Sequence, residues 1–321
     1  MSVDQRLNWL SVNRGHLRLL LDIILLGSLL LLSRNVRRLS GAATKRGFFC
    51  DDESLMYPYK ENTVTSSMLH WISLYLPVAA LVIIDTFRCW RRVAAGNCRW
   101  QQFWPVFNTV RWFLFGHVVE QFIKDMGKQV IGRLRPHFFD VCRSQLADGG
   151  TCLDEAHRHG GVYHMDYTCH SADATPEMLR DMNVSFPSGH SSMAFYGLVF
   201  MALYLQSIRL SPSSTLLRPL CQLVCVALAT FVGLSRVMDY KHHWSDVVAG
   251  SLLGASVALA VVRGAVQQHR LHLQAATAKG PQSAAVASGG NVEAVATATA
   301  TATATEQLPH DLCEVTCHSS N

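Results

Sequence analysis

Six apolar runs, each near the roughly 20 residues an α-helix needs to cross a bilayer, constrain this chain more than any other feature. They lie at 17–33, 67–87, 104–123, 192–209, 216–235 and 244–263. Only 16% of the 321 residues are charged and 49% are hydrophobic, whereas a soluble domain carries about a quarter charged residues. The expectation is an all-α integral membrane protein with six transmembrane helices. The first run, Leu-rich from Leu17 to Leu32, reads as a retained helix and not a cleaved signal peptide. The small residues Gly41, Ala42 and Ala43 lie well past it, and Arg34, Arg37 and Arg38 intervene.

Orientation follows from the connections. The loop after the second run holds Arg88, Arg91, Arg92 and Arg99 and no acid, which favours the cytosol. Both termini are then cytosolic, and loops at about 34–66, 124–191 and 236–243 face outward. The Arg34, Arg37, Arg38 cluster votes the other way, offset weakly by Asp51, Asp52, Glu53 and Glu61. Cys50, Cys142, Cys152 and Cys169 all fall in outward loops, where disulfides can persist. Four cysteines allow three pairings, and the near pair Cys152–Cys169 is the first expectation.

The chain divides into a cytosolic N-terminus (1–16), a membrane domain (17–265) and a tail (266–321). From Ala275 to Thr305 the tail is Ala, Thr, Gly and Ser with almost no large side chain, which reads as disordered. Cys313 and Cys317 are read as unmodified, there being no CaaX ending. A net charge of +5 without a basic, aromatic-interleaved stripe speaks against nucleic acid. The scattered cysteines form no zinc-type pairs, so no metal and no cofactor is expected.

Three polar clusters flank the apolar runs. In KQVIGRLRP, from Lys128 to Pro136, a continuing helix would put Lys128 and Arg135 on one face, seven residues apart. Gly132 would lie between them and leave room for a ligand, and Pro136 would end the helix. Two cations so placed suit a phosphate, although basic residues beside a membrane commonly meet lipid headgroups. Arg133, about 160° from Arg135 on such a helix, would take no part.

Phe186 to Ser192, FPSGHSS, opens the fourth run. Unpaired amides at a helix N-terminus attract anions, Gly189 lets the backbone approach, Ser188 adds a hydroxyl and His190 can move a proton. An ordinary serine cap with an incidental histidine explains this segment equally well.

In the third cluster, SRVMDYKHHWSD, His242 and Asp246 are four apart, so on a helix they share a face. A carboxylate holding one imidazole nitrogen leaves the other free to attack. Arg236 supplies a third cation, and an acid at the edge of a span is expected to be functional. His243 competes with His242, at a spacing of three from Asp246.

Together these segments carry KxxxxxxRP, PSGH and SRxxxxxHxxxD, and the chain resembles the type 2 phosphatidic acid phosphatase superfamily at every fixed position. Arg46 to Cys50, Tyr57 to Lys60, Gly132 to Phe138 and Gly233 to Asp246 look like the animal lipid phosphate phosphatases, and the likeness spans roughly 15 to 265. The resemblance implies six helices with cytosolic termini and a metal-independent phosphatase. In it, His242 is the nucleophile, Asp246 orients it and His190 is the acid and base. Lys128, Arg135, Arg236, Ser188 and Gly189 would hold the phosphate. The implied partners are the membrane and lipid phosphate substrates: phosphatidate, lysophosphatidate, sphingosine 1-phosphate and ceramide 1-phosphate. The expected location is the plasma membrane, with an internal membrane the alternative, and a homo-oligomer is compatible with all of this.

Competing readings are a sugar phosphatase of the glucose-6-phosphatase type, a non-catalytic lipid receptor or transporter, and a channel. The likeness around His242 favours lipid, an intact catalytic set disfavours the second, and mostly apolar spans disfavour the third. Arg111, His117 and Glu120 suggest a proton path, but Glu120 reads better as a partner of the basic site or of headgroups. Gly250 and Gly254 read as close helix packing. The sequon Asn183-Val184-Ser185 abuts the site and is expected to stay unglycosylated.

Overall fold

The computed structural model describes residues 3–39, 41, 43–94, 104–158, 161–208 and 215–277. The low-complexity tail, Cys313 and Cys317 lie outside them. The long helices are α1 (Val3–Leu39), α3 (Leu76–Ala94) with its lead-in, α4 (Trp104–Ile131), α8 (Gly189–Ser207), α9 (Leu217–Met238) and α10 (Trp244–Thr277). The lead-in to α3 is α2 (Ser66–His70) and a π-helical turn, Trp71–Tyr75. Between α4 and α8 lie three short helices, α5 (Phe138–Cys142), α6 (Glu155–Arg158) and α7 (Pro176–Asp181). Each of the six apolar runs falls largely on a long helix. Three stretches, Ser66–Arg91, Leu217–Met238 and Trp244–Gln268, are long and apolar enough to cross a membrane, with mean hydropathies of 1.9, 1.9 and 1.8.

Helix α8 is the hub. It is apolar on all sides, which suits a helix buried in a bundle, and it packs on α10, α9 and α4, while α1 packs on α4. Leu81, Phe113, Tyr196, Phe200, Tyr204 and Ala258 form one buried cluster around it. Close approach is built into α10. A Cβ at Gly250 or Gly254 would overlap the backbone carbonyl of Ser188 or Ser192, so alanine at either position would push α10 off α8. The glycine spacing therefore serves packing within the bundle, as the sequence suggests. Outward, Leu220, Leu223, Val224 and Leu234 of α9 and Leu252 of α10 are exposed, an apolar surface of the kind that marks membrane contact.

The loops are more structured than an all-α reading anticipates. Two antiparallel ribbons form, β1 (Phe48–Phe49) with β3 (Tyr163–His164) and β2 (Ser144–Leu146) with β4 (Tyr167–Cys169). The cysteine pairing differs from the near-neighbour expectation: Cys50 joins Cys152 and Cys142 joins Cys169. The reason is strand register. Antiparallel pairing of β2 with β4 sets Ser144 opposite Cys169, which brings Cys142 within reach and leaves Cys152 to the first loop. Phe48, Leu134, Phe138, Val141 and Met182 close a small core around the two bridges.

Candidate active site

The end of α4 departs from the helical-face argument. The helix stops at Ile131, because Gly132 takes a left-handed backbone with φ +57° and the Thr44 carbonyl fills the space a Cβ would need. Only glycine fits there, and the gap holds backbone, not ligand. Arg135 thus sits on an extended segment, not a face shared with Lys128. It is buried all the same, with Nε donating to the Asp181 carbonyl (2.9 Å) and Nη2 to the Asp181 carboxylate (2.7 Å). This fork holds one edge of the guanidinium and leaves Nη1 outside the clamp. Asp181, at the end of α7, had no signal in the sequence. Burial raises its carboxyl, but Arg135, Lys128 and His242 outweigh that and hold it below its usual value.

Ser188 caps α8, its Oγ accepting from the Ser191 hydroxyl (3.0 Å) while its backbone N–H donates to the Asp246 carbonyl (3.0 Å). The cap reading of this serine is therefore correct as far as it goes, and the Ser188 hydroxyl proton is left to donate elsewhere. A Cβ on Gly189 would stand 3.2 Å from Lys124 Cδ and 3.7 Å from Lys128 Nζ. The bare first turn of α8 is thus where Lys128 ends. His190 Nε2 is buried without a hydrogen-bond partner among the described residues. Asn183 donates to the Leu179 carbonyl, and the sequon's Ser185 is wholly buried.

The third cluster also departs from helical spacing. Helix α10 begins at Trp244, so His242 and His243 precede it. Asp246 Oδ2 reaches back to the His243 N–H (3.1 Å) and Nδ1 (3.2 Å), the return half of a capping box. His242 Nδ1 stands 3.9 Å from Oδ2, too far for a direct hydrogen bond. Ser185 bridges them, its Oγ 2.6 Å from Asp246 Oδ2 and 3.3 Å from His242 Nδ1. The single hydroxyl proton goes to the carboxylate, so the oxygen can only accept from Nδ1–H. That tautomer leaves the lone pair on His242 Nε2. Burial, against the pull of Asp246, and then the charges of Arg135, Lys128 and Arg236 hold this imidazole down at about 3. The ring is protonated only below that value, so it is neutral at physiological pH.

Arg236, 1% exposed, donates through Nη2 to Asn62 Oδ1 (2.8 Å) and lies 3.6 Å from Asp239. Its Nε is buried with no partner among the described residues. Asp239 in turn accepts from Thr63 N and Oγ1, so the first loop is sewn onto the turn before His242. Glu120 is fully buried and accepts from Ser192 Oγ, so it does not face headgroups. Arg111 pairs with Asp22 of α1.

Arg133 is no bystander. Its Nη1 meets Asp246 Oδ1 (2.7 Å) and Ser245 Oγ (2.8 Å). Loss of the helix at Gly132 turns it there, against the orientation an unbroken helix would impose. Arg135→Lys is expected to lower kcat by on the order of ten- to a thousandfold, since a lysine keeps the charge and loses the fork. Arg133→Lys is expected to cost several-fold through Asp246, roughly what one solvent-accessible charged hydrogen bond is worth. Full kinetics at matched expression measure both. An Arg133→Lys loss as deep as that of Arg135→Lys would contradict the supporting role given to Arg133.

One end of the bundle therefore gathers Lys128, Arg135 and Arg236, the start of α8, His190, and His242 relayed through Ser185 to Asp246. Residues 109–270 match the PAP2 superfamily. The chain belongs to that superfamily. Within it, the chain is 42% identical over 236 residues to a Drosophila melanogaster protein provisionally named phosphatidate phosphatase, covering 70% of this chain and 62% of that one. It is 38% identical over 220 residues to rat (Rattus norvegicus) phospholipid phosphatase 1 and 36% over 230 to human (Homo sapiens) phospholipid phosphatase 2. These matches cover 68% and 70% of this chain and 74% of each relative. The chain thus spans about three fifths of the fly relative's length. No solved structure matches it significantly. Among the described residues, no group of three or more His, Cys, Asp or Glu is arranged to hold a metal ion.

Proposed function

We propose that this PAP2 superfamily member is an integral membrane phosphatase that hydrolyses lipid phosphate monoesters through a phosphohistidine on His242. The observation that carries the reading is the neutral, Ser185-held His242 among three buried or nearly buried cations. Two nitrogens beside it, His190 Nε2 and Arg236 Nε, are buried without a hydrogen-bond partner among the described residues. Buried polar groups left unpaired are costly, and a phosphate bound there would satisfy them. Nε2 of His242 attacks phosphorus while Nδ1–H leans on Ser185 and Asp246, which take up the developing imidazolium charge. Lys128, Arg135, Arg236, the Ser188 hydroxyl and the Gly189 amide hold the equatorial oxygens, where transition-state charge is spread. His190, which takes up a proton once the bound phosphate offsets the surrounding cations, gives it to the departing lipid alkoxide, then takes the proton of the water that breaks the P–N bond. Three cations and a helix N-terminus supply the charge that a metal would otherwise provide.

Six spans, cytosolic termini and an outward-facing site in the plasma membrane complete the reading. The disulfides support it: Cys50–Cys152 ties the first outward loop to the second, Cys142–Cys169 braces the second, and such bonds persist outside the cytosol. Phosphatidate, lysophosphatidate, sphingosine 1-phosphate and ceramide 1-phosphate are the proposed substrates, by resemblance. Phosphate release is to be measured from these four and from glucose 6-phosphate, with chelator present throughout. Activity on the lipids that survives excess chelator and is inhibited by vanadate is expected. Preference for the sugar phosphate, or loss on chelation restored by magnesium, would replace the reading.

A further inference from the structure

One charged side chain beside the site has no part in the chemistry above. Lys241 precedes His242, is 3% exposed, and rests its Nζ 3.4 Å from the centroid of the Tyr59 ring. No carboxylate among the described residues pairs with it. The two acids nearby are committed, Asp181 to Arg135 and Asp239 to Thr63 and Arg236. An ammonium nearly out of water ordinarily has an anionic partner, and here it has the face of a tyrosine.

Both side chains are held firmly. The N–H groups of Lys241 and His242 donate to the Arg236 carbonyl (3.0 and 3.3 Å). This tight return is made by Tyr240 at φ +53°, whose own carbonyl receives His137 Nδ1 (2.8 Å). Tyr59 is fixed by its N–H on Asp140 (2.7 Å) and its ring edge-on to His137. Tyr57 stacks on Tyr240, and Lys60 lies over the outer ring face. The first loop therefore forms an aromatic wall at the His242 turn, with Lys241 resting on its Tyr59 ring and close enough to Arg135 and Arg236 to feel their charge. Burial, then repulsion from Arg135 and Arg236, holds the ammonium down at about 8, as fits a cation whose counter-ion is not part of the protein.

We propose that Lys241 is a substrate-binding residue, a fourth cation that leaves the Tyr59 ring to meet the phosphate monoester of the incoming headgroup. A cation on a ring is held by about 0.5–2 kcal/mol, whereas a charge-assisted hydrogen bond to phosphate is stronger and directional. Tyr59 thus parks the ammonium when the site is empty without competing with the ligand, as a carboxylate would. Because phosphate itself is the shared chemistry, the free anion released as product should be held by the same contact. The inference rests on the phosphatase reading and adds a binding group to it.

The test compares wild type, Lys241→Met and Tyr59→Leu on a short-chain phosphatidate, with inorganic phosphate and orthovanadate as competitive inhibitors. Lys241→Met is expected to raise KM and both inhibition constants by about ten- to a hundredfold, the worth of one hydrogen bond to a charged group, with kcat changed less than about threefold. Tyr59→Leu, which keeps the ammonium, should change the inhibition constants far less. A rise in KM for the lipid alone, with phosphate and vanadate unaffected, would assign Lys241 to the lipid moiety and overturn the phosphate contact. Equal loss of thermal stability in both variants with unchanged inhibition constants would make the pair structural. Should Lys241→Met fail to fold, Lys241→Arg serves. Its bulk against Tyr59 should still alter the inhibition constants, and unchanged values would sink the proposal. A wild-type protein inactive on every lipid phosphate would instead remove the phosphatase reading beneath it.

Discussion

His242→Ala is expected to remove turnover, by on the order of a thousandfold or more, while the protein is still made and folded. Removing a nucleophile ends the two-step route, and what remains is the residual effect of binding and charge. The side chain is buried, but among the described residues its one hydrogen bond is the long one to Ser185, so folding should be little affected. Phosphate release and detergent-solubilised thermal stability, measured together, separate the two effects. The pH profile sharpens the test. Since the free enzyme's ring is held at about 3, it is neutral at pH 5 as at pH 8. Any acid limb of kcat/KM above pH 5 should then belong to the substrate's second ionisation, near 6 for a phosphate monoester, and should shift with the substrate. An acid limb near the ordinary histidine value, indifferent to substrate, would contradict the buried neutral nucleophile.

Asp246→Asn is the second large effect. The carboxylate is wholly buried and gathers Ser185 Oγ, the His243 N–H and ring, and Arg133. An amide keeps the shape, but its NH₂ meets a donor on at least one side. Ser185 would then be free to turn its proton toward His242 Nδ1, reversing the tautomer and tying up the wrong nitrogen. A comparable exchange in serine proteases costs about 10⁴ in kcat. Here about 10²–10⁴ is expected, together with roughly 1–3 kcal/mol of stability for the donors left unmatched. Arg133, a third exposed at its side chain, can turn to water and softens that loss. Ser185→Ala should reproduce part of the rate loss with a smaller change in stability. An Asp246→Asn variant with near-normal kcat would mean that His242 does not depend on this relay.

The sequence was a better guide to which residues converge than to the geometry that brings them together. Apolar runs of bilayer length located the long helices, and the polar clusters at their ends located the groups that converge. What failed was the assumption that helices continue through those clusters. Gly132 breaks α4 by accommodating the Thr44 carbonyl from 88 residues earlier in the chain, a contact invisible to any local pattern. An unbroken helix would turn Arg133 away, whereas the break aims it at Asp246. Likewise His242 and Asp246 meet through Ser185, a residue that in sequence is only the end of a sequon. Asp181 and Asn62, which accept from Arg135 and Arg236, have no local pattern, because loops folding over one another place them. The cysteine pairing had the same cause: proximity along the chain gave way to strand register. The glycines of α10, by contrast, were legible, since a spacing of four on one helix needs only a neighbouring backbone to have meaning.

The most direct test is rapid quenching of the purified protein during turnover of a ³²P-labelled lipid phosphate, followed by peptide mapping. Acid-labile, base-stable label on His242 is expected, its amount reduced to background in His242→Ala. The adjacent His243 lies nearer the Asp246 carboxylate, at 3.2 Å against 3.9 Å, so the two histidines are a fair contest. Label on His243, or turnover of lipid phosphate with no protein-bound phosphate at any time point, would contradict the account.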